Sequence, residues 1–131
     1  MKLNSFQVDG EINDGTKDGP PIPFCVQVWP GRRTIVLSPP AGKDYVNLAW
    51  LREILATVRR EIANETGDFC FLEEWHIYVV QQGRVVKVRE IEGGDFAFAP
   101  LEPKSIRDPA VRSFVEHAVT AQANFYETTT V

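Results

Sequence analysis

Sulfur and imidazole are scarce in this chain: two cysteines, one methionine and two histidines among 131 residues. Cys25, Cys70, His76 and His117 stand far apart, and none forms the short-spaced pair from which zinc sites are built. The residues therefore give no reason to expect a metal or another cofactor. Each cysteine sits beside an aromatic residue, which reads as two buried reduced thiols in a cytoplasmic protein. A single Cys25–Cys70 disulfide is the alternative.

Long apolar runs are missing too, and no stretch approaches the length needed to span a bilayer. Met1 to Ser5 turns polar at once and lacks the apolar centre of a signal peptide. The expectation is a cytoplasmic chain with no membrane partner. Basic residues are outnumbered, 14 Lys+Arg against 18 Asp+Glu, for a net charge of -4 and a pI near 5.2. That balance argues against nucleic acid, whose binding needs a concentrated basic face. Arg32-Arg33 and Arg59-Arg60 are too short to supply one; only Arg32, Arg33, Arg52, Arg59 and Arg60 gathered on one face would do so.

Motifs that begin well do not finish. Read from Asp14 as a calcium loop, Gly19 suits the sixth position, but Cys25 occupies the twelfth, where a bidentate Glu is required. Pro39 to Lys43 ends like a phosphate loop, yet Asp44 follows the lysine where a Ser or Thr belongs. Asn64-Glu65-Thr66 matches a glycosylation sequon and equally suits the polar end of a helix.

What is present is a legible pattern of elements. Hydrophobic residues are 44% and charged residues 24%, an ordinary globular balance in a chain long enough for one core. Leu3–Val8 reads as an edge strand. Asp9 to Pro23 is dense in Gly, Asp and Pro, and reads as a mobile loop. Phe24–Trp29 and Thr34–Leu37 form a first hairpin, with Pro30-Gly31 at the centre of a type II turn. Asp44 is placed to cap a helix from Tyr45 to about Ala63, whose stripe is Leu48, Leu51, Leu55, Val58 and Ile62, with Gly67 as the stop.

Trp75–Val80 and Val85–Arg89 flank Gln82-Gly83. A two-residue loop there sets Val79 opposite Val86 and Ile77 opposite Val88, an apolar face, and Tyr78 opposite Lys87 on a polar or half-covered one. Asp95–Ala99 alternates and adds a meander strand. Asp108-Pro109 opens a second helix that buries Val111, Phe114, Ala118, Ala121 and Phe125.

Together these predict an α+β fold: a mostly antiparallel sheet, two hairpins plus a meander strand, with two amphipathic helices packed on one face. If the tail from Thr128 to Val131 pairs as a strand, the stretch from Thr34 closes a ferredoxin-like βαββαβ unit, the alternative topology. Residues 1–131 read as a single domain with the mobile loop at about 9–23.

For catalysis the most suggestive group is Glu73, Glu74, His76 and Arg89, since a carboxylate beside an imidazole tunes a general base. The same residues are also what paired charges on an exposed sheet face look like, with no nucleophile or oxyanion donor beside them. Trp50 projects away from the first helix's stripe, with Val46 and Ile54 one turn to either side. It is covered within its own chain or belongs to a contact surface, where Trp is enriched. The functional expectation is a non-catalytic intracellular protein-binding domain that contacts another protein or itself as a homodimer. Its surface would be Val46, Trp50 and Ile54, joined by Trp29. Adaptor, accessory and immunity-type proteins share this size and acidity, an analogy only. The alternative is a small enzyme or ligand-binding domain with a pocket on the charged face of the 74–91 hairpin, around Trp75, His76, Tyr78 and Arg89.

Overall fold

The computed structural model describes residues 4–12, 21–38, 51–69, 72–90 and 95–129, without the side chains of Ile22, Glu73 and residues 123–129. Six strands lie side by side in chain order: β1 (Phe6–Ile12), β2 (Ile22–Trp29), β3 (Thr34–Ser38), β4 (His76–Gln81), β5 (Arg84–Glu90) and β6 (Phe96–Leu101). All neighbours are antiparallel except β3 and β4, which run parallel at the centre and are joined through α1 (Leu51–Thr66). The sheet is thus two three-stranded meanders, and α2 (Pro109–Thr129) follows the second. The expected α+β class and mostly antiparallel sheet are what is found.

The placement of the helices differs from the expectation. Successive strand residues point to opposite faces. Ile35, Leu37, Ile77 and Val79 share a buried cluster with Leu51, Ile54, Leu55, Val58 and Ile62 of α1. Val36, Tyr78 and Val80 belong to a second cluster, with Val111 and Val115 of α2. The helices therefore cover opposite faces, not one. The reason was written in β3 and β4: Ile35-Val36-Leu37 and Ile77-Tyr78-Val79-Val80 are apolar at every position, as strands buried on both sides must be.

The ferredoxin-like alternative is also set aside. A split βαβ unit needs a strand inserted between its two parallel strands. Here β3 and β4 are direct neighbours, and Thr128 and Thr129 belong to α2.

The second hairpin has the expected register, Ile77 opposite Val88, Tyr78 opposite Lys87 and Val79 opposite Val86. Its loop is Gln82-Gly83, both in the left-handed region (φ 53 and 72), the signature of a type I′ turn. The first hairpin is present, but Pro30–Arg32 forms a 3-10 turn and Arg33 (φ 46) takes the left-handed position, so the type II turn is corrected. The loop is shorter than expected, because β1 continues through Asp9, Gly10 and Glu11 to Ile12 and β2 begins at Ile22. Gly10 belongs in that strand because Phe24 lies over it: a Cβ there would fall 2.6 Å from the Phe24 ring.

α1 ends as its sequence implies, Gly67 at φ +79 returning its N–H to the Ala63 carbonyl at 2.8 Å. Its expected start, with Asp44, Val46, Leu48 and Trp50, lies outside the described residues. Asp108 caps α2, accepting the Ala110 and Val111 N–H groups at 2.9 and 3.1 Å. α2 buries Val111 and Val115 and half-buries Phe114 and Ala118, whereas Ala121 is exposed.

The helices are offset across the sheet. α1 packs toward β1 and β2, and α2 toward β3, β4 and β5. Among the described residues, two areas have no helix packed on them: the α1 face of β5 and β6, and the α2 face of β1 and β2.

Candidate functional site

On the α1 face a groove of about 550 Å3 runs between α1 and the second meander. Ile77 and Val88 form its floor, and Leu55, Ala56, Trp75 and Phe96 its walls. Its rim carries both signs: Arg52 and Arg59 on the helix side, His76, Lys87 and Arg89 from the hairpin, Glu74 in the 3-10 turn before β4 and Glu90 at the end of β5. The register extends this surface outward on the same face: Phe98 lies beside Val88, and Pro100 beside Val86. Phe98 is 43% exposed, although α1 buries the other aromatic ring of comparable position, Phe24, on the same face. Among the described residues, a strip of apolar side chains on β6 is thereby left without a covering helix.

The α2 face holds a second groove, also about 550 Å3, at the same end of the sheet. His76, Tyr78 and Lys87 come from the hairpin, and Arg32, Arg107 and Asp108 from the connections around it. Arg32 and Asp108 form an ion pair. Burial opposes ionisation of Asp108, but the Val111 N–H, the Arg32 guanidinium and the Ala110 N–H outweigh it and hold the carboxyl below its usual range. The Tyr78 hydroxyl is pushed up, by burial first and by the Asp108 charge second, so it stays a donor. The His76 and Tyr78 rings lie nearly parallel, 6.4 Å apart.

No family model, curated protein or solved structure matches this chain.

The expected interaction residues do not form one surface. Ile54 is fully buried against the sheet on the α1 face. Trp29 is buried on the other face, edge-on to Phe114 with centroids 5.2 Å apart. Both serve the core, and they lie on opposite sides of the sheet. Val46 and Trp50 lie outside the described residues.

The acid–base trio of Glu74, His76 and Arg89 lines one groove, the one beside α1, together with Trp75. Glu74 sits in a 3-10 turn, 3.6 Å from Arg33, while His76 alternates to the α2 face and stacks beside Tyr78. Arg89 is exposed near the end of β5. The Glu73 side chain and Cys70 lie outside the described residues. Cys25 is a free thiol, pushed up to about 11 by burial, then by a hydrogen bond to Asp9 and that residue's charge, with a Ser38 bond acting the other way. Among the described residues no group of His, Cys, Asp and Glu is placed to hold a metal, and no helix is long and apolar enough to cross a membrane. The arginines do not gather either: Arg52 and Arg59 border the α1-face groove and Arg32 the other.

Sequence reasoning missed Phe98, Lys87 and Arg107. Lys87 had been placed opposite Tyr78, but only as a sheet-surface charge. Phe98 was visible as one member of an alternating strand, without a sign of which alternate face α1 would leave open. Nothing local marks Arg107 except its position just before the Asp108 cap.

Proposed function

We propose that this chain is a non-catalytic protein-binding domain that associates with a second copy of itself through the open α1 face of β5 and β6. The observation that carries this reading is the apolar strip of Val86, Phe96, Phe98 and Pro100, half-buried at Val86 and Phe96 and exposed at Phe98 and Pro100, continuous with the groove beside α1. Apolar sheet surface beyond the reach of its own helix gains from being removed from water, by about 25 cal/mol per Å2. The strip lies on β6, the edge strand among the described residues, where a second chain meets no described neighbouring strand.

Two features favour a second copy as the occupant. A two-fold interface is self-complementary, so any patch must match itself. Apolar strips satisfy that condition, and the mixed rim does too: Arg52 and Arg59 of one protomer can face Glu74 and Glu90 of its partner. The cytoplasm suits this role, because the free Cys25 thiol is at home in a reducing compartment.

Sedimentation equilibrium on the wild type and on Phe98→Asp tests the proposal. The wild type is expected to dimerise at micromolar concentration and the variant to sediment as a monomer with an unchanged circular dichroism spectrum. A wild type that stays monomeric at every concentration overturns the self-association. Dimers of equal strength in the variant overturn the surface.

A further inference from the structure

The groove on the α2 face concentrates positive charge in an otherwise acidic molecule, and its wall is built by two separate parts of the fold. α2 covers Val80 and Val85 toward the turn end of the β4–β5 hairpin, so His76 and Lys87, toward the other end, are left uncovered. The connection from Leu101 to α2 then crosses that opening. It is fixed from below: Ile106 is buried, and its carbonyl accepts the Arg112 guanidinium at 3.2 Å. Arg107, beside it, lines the groove with Lys87.

Charge bookkeeping in the groove is simple. Its cations are Arg32, Lys87 and Arg107, and its one carboxylate among the lining residues is Asp108. That carboxylate is engaged twice, with Arg32 and with the first turn of α2, so the helix N-terminus is already satisfied by the chain itself. Among the described residues neither Lys87 nor Arg107 has an acidic partner. Among the described residues, two cations without an acidic partner thus border a concavity of a chain whose net charge is -4. The Ser105 and Thr34 hydroxyls donate elsewhere, to the Glu102 and Arg32 carbonyls at 2.6 and 2.8 Å. The Tyr78 hydroxyl remains as a neutral donor between the cations.

We infer that this groove binds the phosphate group of a small molecule. A phosphomonoester carries a charge of about -1.5 to -2 near neutral pH, which matches the two unpaired cations. Lys87 supplies a point charge from the sheet, and Arg107 a planar donor pair from the connection. Arg32 is held in place by Asp108, which lowers the ordering that binding demands. The site lies on the opposite face from the Phe98 strip, and His76 and Lys87 border both this groove and the one beside α1.

Amide and side-chain NMR shifts during titration with inorganic phosphate, and separately with acetate at matched ionic strength, test the inference. Phosphate is expected to give saturable shifts at His76, Tyr78, Lys87 and the segment 105–108, with acetate markedly weaker. Lys87→Met should weaken phosphate binding by roughly tenfold or more, the loss expected of one charge-assisted contact. Lys104→Met, in the same connection but outside the groove lining, should leave it unchanged. Shifts that stay linear with phosphate, that saturate elsewhere, or that survive Lys87→Met unaltered overturn the site. Equal saturation by acetate overturns the assignment to phosphate.

Discussion

Gly10 and Asp108 show how much single positions decide here. Gly10 lies in β1 opposite Phe24, and the Phe24 ring occupies the space that any side chain at Gly10 would need. The ring is itself buried and has little room to turn aside. Gly10→Ala is therefore expected to lower stability by about 1–3 kcal/mol, the usual range for overpacking, read from the urea midpoint. Asp108 has its effect through charge. Its carboxyl is held below the unfolded range, so its contribution is complete above the unfolded value and fades as pH falls through the folded one. Denaturant titrations across that acidic interval should show the wild type losing stability more steeply than Asp108→Asn. That variant keeps a cap acceptor without the charge. Equal slopes would contradict the assignment.

Among the elements, the β4–β5 hairpin is held at its turn by α2. Its turn is clasped by Gln122 of α2, which donates to the Val80 carbonyl at 3.0 Å and accepts the Gly83 N–H at 2.9 Å. Gln122→Ala leaves both backbone groups without that partner and is expected to cost about 1–3 kcal/mol. Hydrogen exchange at the Gly83 amide should accelerate more than exchange in β1 or β2. The hairpin was also the most legible element in the sequence. Pairing Ile77 with Val88 and Val79 with Val86 required an even loop, and Gln82-Gly83 supplied it. α1 was equally plain along Leu51, Leu55, Val58 and Ile62. What stayed hidden was side and reach. Ile54 extends the α1 stripe instead of leaving it, and Trp29 belongs to the face that α2 covers. Helical periodicity fixes which residues share a stripe, but not which sheet face receives it or how many strands it spans.

At the scale of the whole molecule, one offset explains both candidate surfaces. Two helices on opposite faces of a six-stranded sheet, displaced from each other, leave among the described residues one apolar area and one polar area without a packed helix. The polar area on β1 and β2 carries Gln7, Asp9, Glu11 and Gln27, side chains suited to water. The apolar area on β5 and β6 carries Phe96, Phe98 and Pro100, and these are not. The sequence pointed to a contact surface but placed it on α1 and Trp29. The alternation Phe96-Ala97-Phe98-Ala99 was read as a strand, and its exposure depends on where α1 stops, a tertiary property that no local pattern encodes. Self-association is the claim that turns this asymmetry into a function. Its most direct measurement is an isotope-filtered NOE experiment on mixed labelled and unlabelled protein. The account predicts intermolecular cross-peaks from the Phe96 and Phe98 rings and the Val86 methyls. Cross-peaks confined to other surfaces, or none at concentrations where the protein sediments as a dimer, would contradict it.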